Sequence, residues 1–130
     1  MIRGLGLDLV DSRPWREALA DPSGAALEGC FTPGELARAL EGPVPPAERL
    51  AARFAAKEAF VKAMGAALAG GAPPHWDLRD IEVANDPGGR PVLVLHRQAL
   101  AAAEAAGVQC AWLSLTHEGD RAAAMVVLEG

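Results

Sequence analysis

Residues 2–10 alternate in character, with Leu5, Leu7 and Leu9 on one face and Gly4, Gly6, Asp8 and Val10 on the other, the period of two that marks a β-strand. Glycine inside a strand weakens it and often marks close approach by another backbone or a ligand. Asp8, at the end of the glycine-lined face, therefore lies beside either open space or a tight contact. Ser12 ahead of Arg13-Pro14-Trp15 reads as the start of a short helix to about Ala20, with proline tolerated in its first turn. Thr32-Pro33-Gly34-Glu35 has threonine at the cap, proline at the first helical position and glutamate three residues after the cap, a capping box ahead of Leu36–Leu40. From Ala47 to about Leu68 the chain holds no proline and one glycine, Gly65, among Ala, Leu, Arg, Lys and Glu. That composition predicts a long helix.

Ile81-Glu82-Val83 and Pro91-Val92-Leu93-Val94-Leu95 read as strands around the turn Asp86-Pro87-Gly88-Gly89. Gln98–Ala106 reads as a helix stopped by Gly107, and Cys110–Thr116 with Ala122–Leu128 as a final hairpin around Glu118-Gly119-Asp120. The order β, α, α, α, β, β, α, β, β, with strands joined by tight turns, predicts an α+β fold: an antiparallel sheet with helices packed on one side. No fixed-period repeat occurs, and the Pro/Gly-rich pieces at 42–46 and 70–74 are of connector length. Residues 1–130 thus read as a single domain, and a chain of this size buries roughly two-thirds of its unfolded surface.

Charge and cysteine content narrow the function classes. A net charge of −5 argues against a non-specific nucleic-acid binder, although a local basic patch stays open. The apolar stretches are short and interrupted, so neither a spanning helix nor a signal peptide is expected, and a soluble, cytoplasmic protein is. Cys30 and Cys110 suit a reducing compartment and read as small core hydrophobes. With three Trp, three Phe and no Tyr, the core must rest on close approach of small residues.

At 100° per residue, the long helix gathers Leu50, Phe54, Phe60, Val61 and Met64 in one arc and Ala52, Ala55, Ala56, Ala59 and Ala63 in the opposite one. Its charges form no third, solvated face: Arg53 and Lys57 fall among the large apolar residues, and Glu58 and Lys62 lie on the border. The alanines allow close packing behind the helix, and the charges are expected to face a cleft or a subunit contact, because burying them unpaired costs several kcal/mol. Equally open is a bland arrangement in which the cations snorkel and Glu58 pairs with Lys62 four residues on. Asp8 favours a functional arrangement. Two carboxylates beside small residues with three nearby cations could hold a divalent metal against a phosphate-bearing substrate, and Mg²⁺ needs only one or two carboxylates plus phosphate oxygens.

Other constellations are weaker. Ser114 and Thr116 point to one face of their strand and His117 to the other, so no nucleophile and base pair forms. Gly4-Leu5-Gly6 lacks the later glycine of a dinucleotide fingerprint, no Walker sequence exists, and His75 and His96 have no partner spacing.

Gly4-Leu5-Gly6-Leu7-Asp8-Leu9-Val10-Asp11 resembles the opening motif of the holo-acyl-carrier-protein synthases, and the run from Arg53 to Gly65 resembles their central helix motif almost throughout. The Phe31–Leu36 helix start, the Gly89-Arg90-Pro91 turn and Leu113-Ser114-Leu115-Thr116-His117-Glu118 match in order and spacing. The resemblance implies transfer of the 4′-phosphopantetheine arm of coenzyme A to a serine of apo acyl carrier protein, with release of adenosine 3′,5′-bisphosphate. It implies Mg²⁺ on Asp8 and Glu58, and Lys62 at the pyrophosphate. Arg53, Lys57 and His117 would lie around the coenzyme A phosphates, with Gly65, Arg90, Pro91, Ser114 and Thr116 completing that site. It also implies a homotrimer with active sites between subunits. Ala52 stands where a glycine is common. Pro14 takes a place where basic residues often meet the carrier, which leaves Arg13 and Arg16, three apart, as the docking candidates. Either Glu118 or a metal-bound water would take the serine proton. Two competing classes are a Mg²⁺-dependent nuclease, disfavoured by the helix-borne Glu58 and the acidic chain, and a non-catalytic coenzyme A-binding or assembly module.

Overall fold

A computed structural model describes residues 1–68 and 75–130; the connector expected at 70–74 lies outside them. The elements are β1 (Ile2–Asp11), α1 (Arg13–Ala20), α2 (Ala25–Cys30), α3 (Pro33–Ala39), α4 (Pro46–Ala67), a one-turn 3₁₀ helix (Leu78–Asp80), β2 (Ile81–Asn85), β3 (Pro91–Leu95), α5 (Arg97–Ala105), β4 (Cys110–Glu118) and β5 (Arg121–Glu129). Pairing is antiparallel throughout, as expected. It is divided, however, between a three-stranded sheet of order β1-β5-β4 and a separate β2-β3 ribbon, where one sheet was expected. The short α2 and the 3₁₀ turn were also not anticipated, since six and three residues give periodicity too little length to register.

Local chemistry accounts for the boundaries. In α3, the Thr32 side chain accepts from the Glu35 amide at 3.1 Å and Glu35 reaches back to the Thr32 amide at 3.0 Å, so the capping box is present with Pro33 at the first helical position. Replacing Thr32 by alanine should cost about 1–2 kcal/mol, read as a fall in thermal midpoint. At α1 the expected cap is corrected. Ser12 makes no side-chain cap bond, and its buried hydroxyl has no partner among the described residues. The first amide, that of Arg13, is instead taken by the Asp11 carboxylate at 2.9 Å.

The core forms where α4 lies on β1 and β5. Ala55, Ala59 and Ala63 are fully buried there with Val126 and Leu128, while Trp15, Phe31, Leu50 and Ala51 form a second cluster near the start of the helix. Trp15 meets both Phe31 and Phe54 at 5.1 Å between ring centroids. Close packing of α4 on β1 depends on the missing side chains of the glycines. A Cβ at Gly4 would sit 2.1 Å from the Ala63 carbonyl oxygen, and one at Gly6 would sit 1.8 Å from that of Ala59. The glycine-lined face is therefore a tight contact and not open space.

The opposite face of this sheet is bare. Leu5 aligns with Val127 and Trp112, Leu7 with Met125 and Ser114, and Leu9 with Ala123 and Thr116. Leu5, Leu7 and Leu9 are 58%, 59% and 66% exposed. Cys30 and Cys110 are free and half-buried, not the core residues expected. Among the described residues no helix is long and apolar enough to cross a membrane.

Candidate active site

Side chains of β1 alternate, so Asp8 projects on the same side as Gly4 and Gly6, toward α4. Because those two glycines bring strand and helix together, Asp8 arrives beside the outer edge of α4. There the Lys62 ammonium donates to the Asp8 carboxylate at 2.8 Å and to the Leu7 carbonyl at 3.1 Å. Lys62 thus pairs across the interface and not with Glu58 on its own helix. Partial burial pushes the Glu58 carboxyl above its ordinary value, the Asp8 charge pushes it further, and Lys62 partly offsets both. The structure therefore brings Asp8, Glu58 and Lys62 together. Glu58 and Val61 also line a cleft of about 570 Å³, together with Trp76, Asp77, Leu78 and Arg79.

Among the described residues no group of three or more His, Cys, Asp or Glu could hold a metal ion alone. Two mutually repelling carboxylates with hard oxygens, on a rim with a lysine, fit a cation that keeps most of its waters and takes its remaining ligands from phosphate. The donor set fits Mg²⁺ in that mode, and a structural zinc site would need other ligands.

Arg53 is 7% exposed and pairs with no carboxylate among the described residues. Among the described residues it donates once, to the Arg49 carbonyl at 3.3 Å, and its Nε has no partner there. Burial lowers its pKa, with Glu35 opposing that shift. A buried guanidinium so poorly satisfied is costly without an anion.

Lys57 departs from the expectation of a phosphate contact. It is fully buried, and its three N–H groups go to Glu35 and to the Leu78 and Ile81 carbonyls. An ammonium has three donors, so none is left for a ligand. Gly65 falls near the end of α4, half-buried.

The remaining expected residues are not gathered with Asp8. Thr116, His117 and Glu118 border a hollow of about 220 Å³ that shares no lining residue with the cleft. His117 Nδ1 stands 3.8 Å from Glu48, and Glu118 is exposed. By register, Ser114 and Thr116 lie on the bare sheet face, opposite α4. Arg90 and Pro91 sit at the β2–β3 turn, Arg90 paired with Asp86 at 3.2 Å. The arginines of α1 are exposed but partnered: Arg13 with Asp11, whose carboxyl it holds well below the usual range, and Arg16 with Asp120. Sequence reasoning missed Glu35 as the acid facing Lys57. Its only sequence signal was its place in the capping box.

The chain that brings these three charges together matches a known class over nearly its whole length. A family model described as the 4′-phosphopantetheinyl transferase superfamily matches residues 4–126, and the chain belongs to that family. Within it, the chain is similar to proteins named holo-[acyl-carrier-protein] synthase: 46% identical to that of Treponema denticola over all of both chains, and 42% identical to that of Syntrophus aciditrophicus over 100% of this chain and 98% of the relative. Among solved structures, a Chronobacterium ammoniagenes ACPS-CoA complex superposes with a TM-score of 0.82 at 35% identity, covering 97% and 96% of the two chains. The Neisseria meningitidis holo-[acyl-carrier-protein] synthase superposes with a TM-score of 0.80 at 32% identity over all of both chains.

Proposed function

We propose that this protein is a holo-[acyl-carrier-protein] synthase: it transfers the 4′-phosphopantetheine arm of coenzyme A to a serine of apo acyl carrier protein and releases adenosine 3′,5′-bisphosphate. The observation that carries this reading is the junction of Asp8, Glu58 and Lys62 at the edge of a cleft, in a chain whose relatives bear that name. The reaction is attack of a serine hydroxyl on the β-phosphorus, whose needs are alignment and charge neutralisation. A Mg²⁺ ion held by Asp8 and Glu58 would neutralise charge on the pyrophosphate oxygens. Lys62 swings from Asp8 to the same oxygens, and Arg53, without a carboxylate partner among the described residues, supplies a further cation to the coenzyme A phosphates. Glu118, which lies away from Asp8 within one copy of the chain, takes the serine proton only if another copy brings it to the cleft. The free cysteines fit a cytoplasmic setting.

The bare sheet face supports the trimer. Leu5, Leu7, Leu9, Met125 and Trp112 are exposed together, and contiguous apolar patches of that kind mark interaction sites. Ser114 and Thr116 on that face, and Arg90 and Pro91 beyond it, join the Asp8 cluster only if another copy of the chain brings its own set. Replacing Leu7 by glutamate should split the assembly and reduce transfer together, measured by light scattering and activity on one sample; an unchanged mass would remove this face from the interface. For carrier docking, Arg13 and Arg16 exchange their own acids for those of the carrier.

Incubation with coenzyme A, Mg²⁺ and apo carrier should add the phosphopantetheine mass to the carrier. Tight coenzyme A binding without transfer to any carrier in a panel would instead mark a non-catalytic binding module.

A further inference from the structure

Lys57 sits one residue before Glu58 on α4, yet points into the protein, 5.4 Å above the Phe31 ring and closed off from solvent. Its ammonium donates to Glu35 Oε1 at 2.8 Å, to the Leu78 carbonyl at 2.8 Å and to the Ile81 carbonyl at 2.7 Å. Glu35 is equally spent: Oε1 also accepts from the Thr32 amide, and Oε2 accepts from the Val83 amide at 3.1 Å. One buried ion pair therefore ties α4, the start of α3, the 3₁₀ turn and β2 to a single point. The turn it ties down carries Asp77, Leu78 and Arg79, which line the same cleft as Glu58. Its other holds on that turn are the Asp80–Arg97 ion pair at 2.6 Å and the bond from the His96 amide to the Asp80 carbonyl.

We propose that Lys57 and Glu35 are positioning residues that set the distance between Glu58 and the turn that lines the cleft with it, and so the fit of the coenzyme A arm; this rests on the transferase reading. A stability role alone would not require this pair. Well-packed apolar residues in place of a buried ion pair are often neutral or stabilising, whereas the directional bonds fix geometry. Four of those bonds end on backbone groups, of Leu78, Ile81, Val83 and Thr32, so they place the chain itself.

The test compares wild type with K57M/E35Q, which removes both charges together, and with E35D, which keeps both and shortens the reach by one methylene. Coenzyme A binding is followed by calorimetry, and transfer by the carrier mass shift. The expected result is a rise of roughly tenfold in KM and Kd for coenzyme A in both variants, with kcat within about threefold. If the double variant does not fold, E35D decides alone. Loss of thermal stability with KM and Kd unchanged would overturn the inference and leave the pair purely structural. A wild type that binds coenzyme A but transfers nothing would overturn the transferase reading instead, and the Kd comparison still decides this one.

Discussion

Glutamine at position 58 should lower the rate of arm transfer by about 10²- to 10³-fold, and asparagine at position 8 by a similar factor, because each removes one of two charges assigned to hold Mg²⁺ on the pyrophosphate. The stability change should run the other way. In the metal-free protein the Glu58 carboxyl is raised by burial and by the neighbouring Asp8, so its ionised form is disfavoured in the fold. The sign follows from linkage: the folded state binds the proton more tightly than the unfolded one, so stability falls as pH rises from the ordinary glutamate value of 4.5 through the raised one. The E58Q substitution removes that loss, and Mg²⁺ reverses it in the parent. The checks are turnover by carrier mass, thermal midpoint against pH with and without Mg²⁺, and circular dichroism to confirm an intact fold. Unchanged turnover in both variants would remove the metal assignment, and a thermal midpoint that falls in E58Q would remove the repulsion.

The elements with strong local signals were legible before any coordinates. Alternation placed β1, the capping box placed α3, and the proline-free stretch from Ala47 to Leu68 placed α4 within one position at each end. Asp8, Glu58 and Lys62 were legible because glycine and alanine mark the one place where strand and helix can approach closely. What escaped was set by partners distant in sequence. Lys57 falls among the large apolar residues of the helical wheel and Lys62 on their border, but only their partners fix their roles: one meets Glu35 in the core and the other meets Asp8 at the rim. Nothing within α4 names those partners, since they lie 22 residues away in one case and 54 in the other. Likewise the leucines of β1 look like a core stripe, and only the position of α4 on the glycine side shows that they face outward.

Alanine at Gly6 tests how far the site depends on that close approach. The added Cβ would lie 1.8 Å from the Ala59 carbonyl oxygen, 2.8 Å from its carbon and 2.9 Å from the Ala63 amide nitrogen. All three are backbone atoms of a helix locked by its own hydrogen bonds, so no side chain can rotate away, and β1 must lift off α4. Overpacking of this kind costs about 3 kcal/mol. Asp8, two residues further along the same face, lifts with the strand and loses its bond to Lys62, and a displacement of that size in a reacting site costs about 10² in rate. Adding Ala59→Gly should give no rescue, because the clash is with backbone that glycine retains. Gly29→Ala is the control for stability alone, since Gly29 also lines the cleft: its Cβ would meet nothing within 4 Å, and alanine in place of glycine within a helix stabilises by up to about 1 kcal/mol. Denaturant midpoints and transfer rates for the three variants decide the matter. Restoration of either by Ala59→Gly would show that the side chain at Ala59, and not the helix backbone, sets how closely the strand carrying Asp8 can lie.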